Sequence, residues 1–378
     1  MELFERETYL NKMRDAFKQV LNGIGHVILI AGDAGLGKTS LVNKFTTEIE
    51  DNSNLLRGAC DQLFTPRPLS PLFDISNKLS PSIKNLLDDS SKRGQIFTNL
   101  LDYFKSSTTP VVFIIEDIHW ADETTLDLIV FLGRRISRSN CLMVLTYREN
   151  EIQENNNLKY VLADLPSADH TKLKLNNLNE ETVYKMALAK NLANQNIYEI
   201  TKGHPFFVSE IIANPKESIP QNISDFILSR AEKLTPEEIE ILELVSLFPK
   251  DMEISLLMKM KPNAVHLIDN VIKSKILVNE GNVIRFKHDI SRQVIYNSIS
   301  SFKRIHLHGL VLEELIIEEN YSCLALYVHH AKNANITSLV AKWAPIAALK
   351  ASDWGAHNEA AKLFNSHPCV SGDWILDQ

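Results

Sequence analysis

Residues 32–40 read GDAGLGKTS, and the fold turns on how that stretch is taken. Gly32, then after four intervening residues Gly37, Lys38 and Thr39 complete a phosphate-loop pattern with nothing missing. Glycines let backbone N–H groups turn inward toward an anion, and the helix that follows adds its positive end. Lys38 is the candidate contact for the terminal phosphate oxygens, and the Thr39 hydroxyl the candidate Mg²⁺ ligand. The remaining positions, Asp33, Ala34, Gly35, Leu36 and Ser40, complete the segment expected to wrap a nucleotide. A chance glycine turn would lack its surroundings. Here the β-branched run HVILIAG (26–32) precedes the loop and a helical pattern starts at Lys38.

Working outward, two further apolar runs read as buried strands. VVFIIED (111–117) starts directly after Pro110, and CLMVLTYR (141–148) follows an amphipathic stretch at about 123–137. Upstream, Leu10, Met13, Phe17 and Leu21 recur at helical spacing. Buried strands alternating with helices predict a parallel sheet covered on both faces, an α/β P-loop NTPase core. Acids at a strand's C-terminal end stand at the edge where such sheets bind ligands. Glu116 is placed to hold Mg²⁺ through water and Asp117 to orient the attacking water, two roles interchangeable on the sequence alone. Asp117 is therefore a candidate metal residue alongside Thr39 and Glu116. A pair of acids after a strand is ordinarily a helix start; a complete phosphate loop upstream favours the functional reading. Asp122 is read as the cap of the next helix and Trp120 as a packing residue. If the strand ending LTYR neighbours the one ending at Glu116, Thr146 and Arg148 emerge beside the terminal phosphate, and Arg148 can sense it. The bland alternative is a surface arginine at a strand end.

The 378 residues are 44% apolar and 23% charged, which suits two or three globular domains. A net charge of −7 supplies no general attraction to nucleic acid or anionic lipid. Four dispersed cysteines, Cys60, Cys141, Cys323 and Cys369, indicate neither a zinc site nor a disulfide framework; Cys60 and Cys141 read as buried thiols. MELFERETYL lacks a signal core, and no window approaches about 18 uninterrupted apolar residues. A cytoplasmic protein with no membrane partner is expected. Beyond residue 150 strand-like runs become rare and helical period dominates. KILVNEGNVIRFKH (275–288) is the exception and reads as a hairpin. The proline-rich FTPRPLSP (64–71) reads as a stiff surface excursion or an ordered connector. The pattern divides the chain into a P-loop core (1–150), a small helical domain (151–218), a winged-helix-like domain (219–302) and the start of a TPR-like helical array (303–378). The last segment, SHPCVSGDWILDQ, breaks the helical pattern, so the array reads as truncated, with no output domain.

These motifs together resemble the STAND class of AAA+-related signal-transduction ATPases, and more narrowly the ATPase module of large LuxR-type (MalT-like) transcriptional regulators and of cyclase-associated predicted ATPases. FERETYL (4–10), AGDAGLGKT (31–39), RGACDQLFTPRPLSPL (57–72), FIIEDIHWADETTLDLI (113–129), LTYRENE (145–151), TKGHPFFVSEI (201–211), IPQNISDFILSRAEKL (219–234) and RFKHDISRQVIYNSI (285–299) carry it. The resemblance implies that Gly203 and Pro205 form a G-x-P turn against the adenine. It implies that His288, beside Asp289, reaches the β-phosphate of ADP and closes an inactive form, and that Arg6 opens a nucleotide-contacting segment. Glu5 stands where that family usually has glycine. The implied activity is slow ATP hydrolysis by a switch, with ATP or ADP and Mg²⁺ bound, and with protein partners or self-association through the C-terminal helices. Two other classes fit less well. A P-loop kinase or transferase needs an arginine-rich lid, and none appears between 150 and 200. Direct DNA binding through the winged helix sits poorly with the acids of TPEEIEILE (235–243).

Overall fold

The computed structural model describes residues 3–365, apart from 64–66, 88, 150, 152–155, 167–169, 191, 193–196, 214–222, 263, 275 and 318–323. Five parallel strands form the central sheet: β1 (His26–Ala31), β2 (Asn54–Ala59), β3 (Val111–Glu116), β4 (Cys141–Tyr147) and β5 (His170–Lys174), in the order β2-β3-β4-β1-β5. β1, β3 and β4 are buried along their whole length, as their unbroken apolar runs require when helices cover both faces. Cys60 and Cys141 are buried thiols.

The two strands that the apolar runs did not announce are the edges. NLLRGA and HTKLK are half-buried and mix polar with apolar residues, so neither forms an unbroken run. β5 pairs with β1 from Val27↔His170 to Ala31↔Lys174, so the core sheet continues past residue 150. The first helix, Glu7–Leu21, buries Leu10, Met13, Phe17 and Val20. Leu21, assigned to that stripe from spacing, is 55% exposed. Val20, three residues after Phe17, takes its place because the helical stripe drifts with each turn. The amphipathic stretch at 123–137 divides into a helix, Glu123–Gly133, and a 3₁₀ turn, Ile136–Arg138.

Helices Glu7–Leu21 and Lys38–Ile49 fill one face of the sheet, and Arg93–Ser106 and Glu123–Gly133 the other. A third apolar cluster runs from Leu178 to Leu363. It contains the helices Glu180–Leu188, Pro205–Ala213, Pro236–Ser246, Ile254–Met260 and Val265–Lys273, with an antiparallel sheet of β6 (Met252–Glu253), β7 (Leu277–Glu280) and β8 (Val283–Phe286), order β6-β8-β7. β7 and β8 form the expected hairpin about Gly281–Asn282. Pro236–Ser246 opens with a capping box, Thr235 to the Glu238 N–H and the Glu238 carboxylate back to Thr235 N–H.

Among the described residues five helices follow: Asp289–Ser298, Ser301–Ile317, Leu324–Asn333, Thr337–Asp353 and His357–Asn365. The corner joining the last two turns back onto the core. Thr124 Oγ1 donates to the Trp354 carbonyl at 2.7 Å, Arg93 reaches the same carbonyl at 3.1 Å, and Glu123 accepts from the Asn358 N–H at 3.0 Å. The expectation for 366–378, and most of the proline-rich start at 64–66, lie outside the described residues. Residues 67–71 fold inward rather than outward: Leu69 is fully buried and donates its N–H to Asp122. Among the described residues no helix is long and apolar enough to cross a membrane.

Candidate functional site

β1 ends beneath the phosphate loop, and the strand order places β4 between β1 and β3. Residues ending β4 therefore stand between the loop and the acids that end β3. Lys38, buried at the start of its helix, donates from Nζ to the carbonyls of Gly32 (2.7 Å) and Asp33 (3.3 Å). Burial lowers its pKa, with Asp117 the strongest opposing influence. The outward side of the loop is pinned by the segment at 203–206. His204 Nε2 lies 3.0 Å from the Ala34 carbonyl, and Phe206 N–H donates to the Gly35 carbonyl at 3.3 Å. A carbonyl only accepts, so Nε2 carries the ring proton; burial lowers the pKa of His204 and suits this neutral form. Gly35, at φ 77°, makes the approach possible: a Cβ there would lie 2.5 Å from His204 Cε1. Gly203, at φ 72°, accepts from Leu178 N–H and has no room for a Cβ, which would meet the Leu178 carbonyl at 2.0 Å. Pro205 begins the helix Pro205–Ala213. The G-x-P turn thus touches the phosphate loop itself, through the residue between its glycine and its proline.

Arg6 is buried and donates to the carbonyls of Leu36 (3.3 Å) and Asn176 (2.8 Å), tying the loop to the chain beyond β5. Glu5 takes φ 55°, the left-handed conformation that glycine adopts freely. Its carboxylate accepts from Asn179 N–H and from Thr182 Oγ1, at the start of the helix Glu180–Leu188. The side chain thus compensates for the left-handed backbone.

At the end of β3, Thr39 Oγ1 donates to Glu116 Oε2 at 2.9 Å. Glu116 Oε1 is held by Arg57 of β2, through Nε at 2.6 Å and NH2 at 2.5 Å. Asp117 is also left-handed, φ 54°, and its N–H donates to Thr146 Oγ1 at 3.0 Å, so β4 fixes the turn that carries the second acid. Burial pushes the Asp117 carboxyl up to about 6, against the opposing pull of Lys38 and Arg148. Asp122 caps the following helix through Thr125 N–H, as expected, and burial raises it to about 7. A threonine hydroxyl and carboxylate oxygens are the hard donors a small divalent cation takes, and the contact of Thr39 with Glu116 brings two of them together; the residues fit Mg²⁺. Among the described residues no group of three or more His, Cys, Asp or Glu side chains is disposed to hold a metal.

Arg148 emerges beside Lys38 and Asp117, but its guanidinium is committed elsewhere. NH2 pairs with Asp289 at 2.6 Å and NH1 with Glu151 at 3.0 Å, while the guanidinium lies 4.7 Å over the Trp120 ring. Asp289 is also held by Arg292 at 2.7 Å, and Arg292 reaches Gln62 at 2.9 Å. His288 packs edge-on against Phe206 at 4.7 Å, with Nε2 3.8 Å from Glu210, and has no described contact with the phosphate loop. Phe206 stands between it and His204. The site thus joins Lys38, Thr39, Glu116, Asp117, Thr146 and Arg148, with Arg6 and the 203–206 turn against the loop and His288 one ring further out. Sequence reasoning missed Arg57 and gave His204 no role of its own. Both stand inside quoted motifs, RGACDQ and GHP, but nothing local marks a half-exposed strand arginine or a loop histidine as functional.

Residues 2–144 match the AAA ATPase domain family. Across the chain, a signal transduction ATPase with numerous domains carrying a tetratricopeptide repeat sensor, from Pyrococcus horikoshii, is similar in fold, with TM-score 0.61 at 18% identity over 98% of this chain and 59% of that one. An uncharacterized protein of Rhizobium meliloti (strain 1021) is 23% identical over 81% of this chain and 36% of its own length. The chain spans less than two thirds of either relative. Its N-terminal part is thus a P-loop core matching the AAA ATPase domain, continued by a largely helical C-terminal part.

Proposed function

We propose that this protein is an ATP-binding, slowly hydrolysing switch of the STAND type, in which the nucleotide at residues 32–40 sets whether the C-terminal module is docked on the core. The observation that carries this reading is the ion pair from Arg148, at the phosphate edge of β4, to Asp289, in the module beyond the core. An arginine placed to sense a terminal phosphate is shared with a distant element, so phosphate and module compete for one guanidinium. We read the helices and small sheet of 236–286 as winged-helix-like and the helices from 301 as TPR-like repeats. In this reading the G-x-P turn, through His204, and the module together form the closed state.

Within the site, Lys38 exchanges its loop carbonyls for phosphate oxygens, and loop N–H groups supply the remaining positive edge. Glu116 and Thr39 would hold Mg²⁺, which when bound neutralises phosphate charge. Asp117, ionised above about pH 6, accepts a hydrogen bond from the attacking water. In this reading Arg148 NH2 turns to a terminal phosphate by leaving Asp289. That exchange makes hydrolysis slow and links it to undocking. Regulation of transcription or signalling through a partner bound by the C-terminal helices, and a cytoplasmic setting, belong to the same reading.

The test is the identity of the nucleotide released when the purified protein is denatured, with Lys38→Ala beside it. Near-stoichiometric ADP, lost in the variant, is expected. A nucleotide-free protein that turns ATP over several times a second would overturn the switch reading.

A further inference from the structure

Arg57 is a charged side chain for which the switch reading has no use. It lies on β2 two residues before Ala59, the cross-strand neighbour of Glu116, and so projects to the same face of the sheet. Its guanidinium makes two contacts with one carboxylate oxygen, Glu116 Oε1, from Nε at 2.6 Å and NH2 at 2.5 Å. NH1 donates to Asn43 Oδ1 at 2.6 Å. Asn43 stands one helical turn after Thr39, whose hydroxyl donates to the other oxygen, Glu116 Oε2. The four side chains form a chain, Asn43–Arg57–Glu116–Thr39, in which each oxygen of the Glu116 carboxylate has an assigned partner. Its two oxygens are not equivalent: one is committed to a cation of the protein, the other faces Thr39.

That asymmetry has a chemical consequence. Carboxylates give calcium either one oxygen or two, in loose shells of six to eight ligands, whereas magnesium takes a compact octahedral set and keeps much of its water. A glutamate with both oxygens free suits either ion. One with Oε1 tied down offers a single oxygen and favours the smaller. We propose that Arg57 is a positioning residue that sets the cation preference of the nucleotide site, making Glu116 a one-oxygen partner selective for Mg²⁺ over Ca²⁺. Asn43 supports it by holding the third nitrogen of the guanidinium. The inference rests on the assignment of Thr39 and Glu116 to the cation.

The experiment is equilibrium binding of a fluorescent ATP analogue that is not hydrolysed, titrated with Mg²⁺ and separately with Ca²⁺, in the native protein, Arg57→Gln, Arg57→Lys and Asn43→Ala. It reads the ratio of the two cation midpoints, which a uniform loss of folded protein or nucleotide affinity leaves in place. Arg57→Gln should move that ratio about tenfold toward Ca²⁺, as expected if the lower end of the roughly 10–100-fold affinity loss on removing an outer partner falls on Mg²⁺ alone. Arg57→Lys, a single point charge without the fork, should fall between, and Asn43→Ala should move the ratio the same way by less. Should Arg57→Gln fail to fold, the other two variants carry the test. An unchanged ratio in all folded variants, with native binding still cation-dependent, overturns the role of Arg57 alone. Native binding that responds to neither cation overturns the cation assignment with it.

Discussion

Replacing Asp289 with alanine should loosen the C-terminal module and speed ADP release. Asp289 meets Arg148 at 2.6 Å, where the arginine side chain is 7% exposed and the aspartate 31%. Cutting a fully buried pair costs about 3–5 kcal/mol, because the surviving charge is stranded. Here Arg148 keeps Glu151 at 3.0 Å, and Asp289 is one-third open to water, so the loss is closer to that of one charged hydrogen bond, about 1.5 kcal/mol. That corresponds to about a tenfold shift from docked to undocked. Release of a fluorescent ADP from the loaded protein, followed by stopped flow against excess unlabelled ADP, should accelerate about tenfold, with parallel gain in proteolytic sensitivity of the module. Asp289 also accepts from Arg292 and sits in the first turn of the helix Asp289–Ser298, so the single variant perturbs more than one contact. A double-mutant cycle with Arg148→Ala isolates the pair: the combined effect should fall short of the sum by about 1 kcal/mol. Strict additivity, or an unchanged release rate in Asp289→Ala, would refute the idea that this ion pair locks the module.

Three further outcomes follow from the site. Asp117 titrates near 6 through burial, above the ordinary carboxylate value, so hydrolysis should fall as pH drops through about 6, while this group's contribution to stability is full below about pH 4 and is lost as pH rises through 6; rate and unfolding profiles should therefore run in opposite directions, and Asp117→Asn should remove the activity step. Glu5→Ala keeps the left-handed backbone and loses the contacts to Asn179 and Thr182, costing about 1–2 kcal/mol in denaturant unfolding, whereas Glu5→Gly loses the same contacts but relieves about 1 kcal/mol of backbone strain and should be the milder change. Gly35→Ala places a methyl 2.5 Å from His204 Cε1 at a positive φ, so nucleotide affinity in a fluorescence titration should drop by more than in His204→Ala, which loses only one hydrogen bond, about 1 kcal/mol.

Much of this molecule is legible in its amino-acid order because the signals are local. A phosphate loop is nine consecutive residues whose glycines, lysine and threonine act within one turn, and the sheet's centre announces itself because strands buried on both faces must be apolar throughout. β1, β3, β4, the acids after β3, the Asp122 cap and the hairpin at 277–286 are all readable on that basis. The edge strands β2 and β5 are not, since an edge covered on one side tolerates the arginine of NLLRGA and the lysines of HTKLK.

Taken alone, the chain's residues specify the chemistry on offer: a phosphate cradle, two acids and an arginine at three strand ends. Which of these meet, and what else joins them, is settled by tertiary packing. Strand order β2-β3-β4-β1-β5 inserts Thr146 and Arg148 between Lys38 and Glu116, and puts Arg57 beside Glu116 although 59 positions separate them in the chain. Packing of the distant module gives Arg148 its partner Asp289, 141 positions away, and seats His204 on Ala34, 170 positions away. Such contacts leave no local pattern, because a half-buried arginine or histidine has the same propensities with or without its partner. Only the closure of long loops, stabilised by burial of the apolar clusters on either side, brings the partners within hydrogen-bond reach.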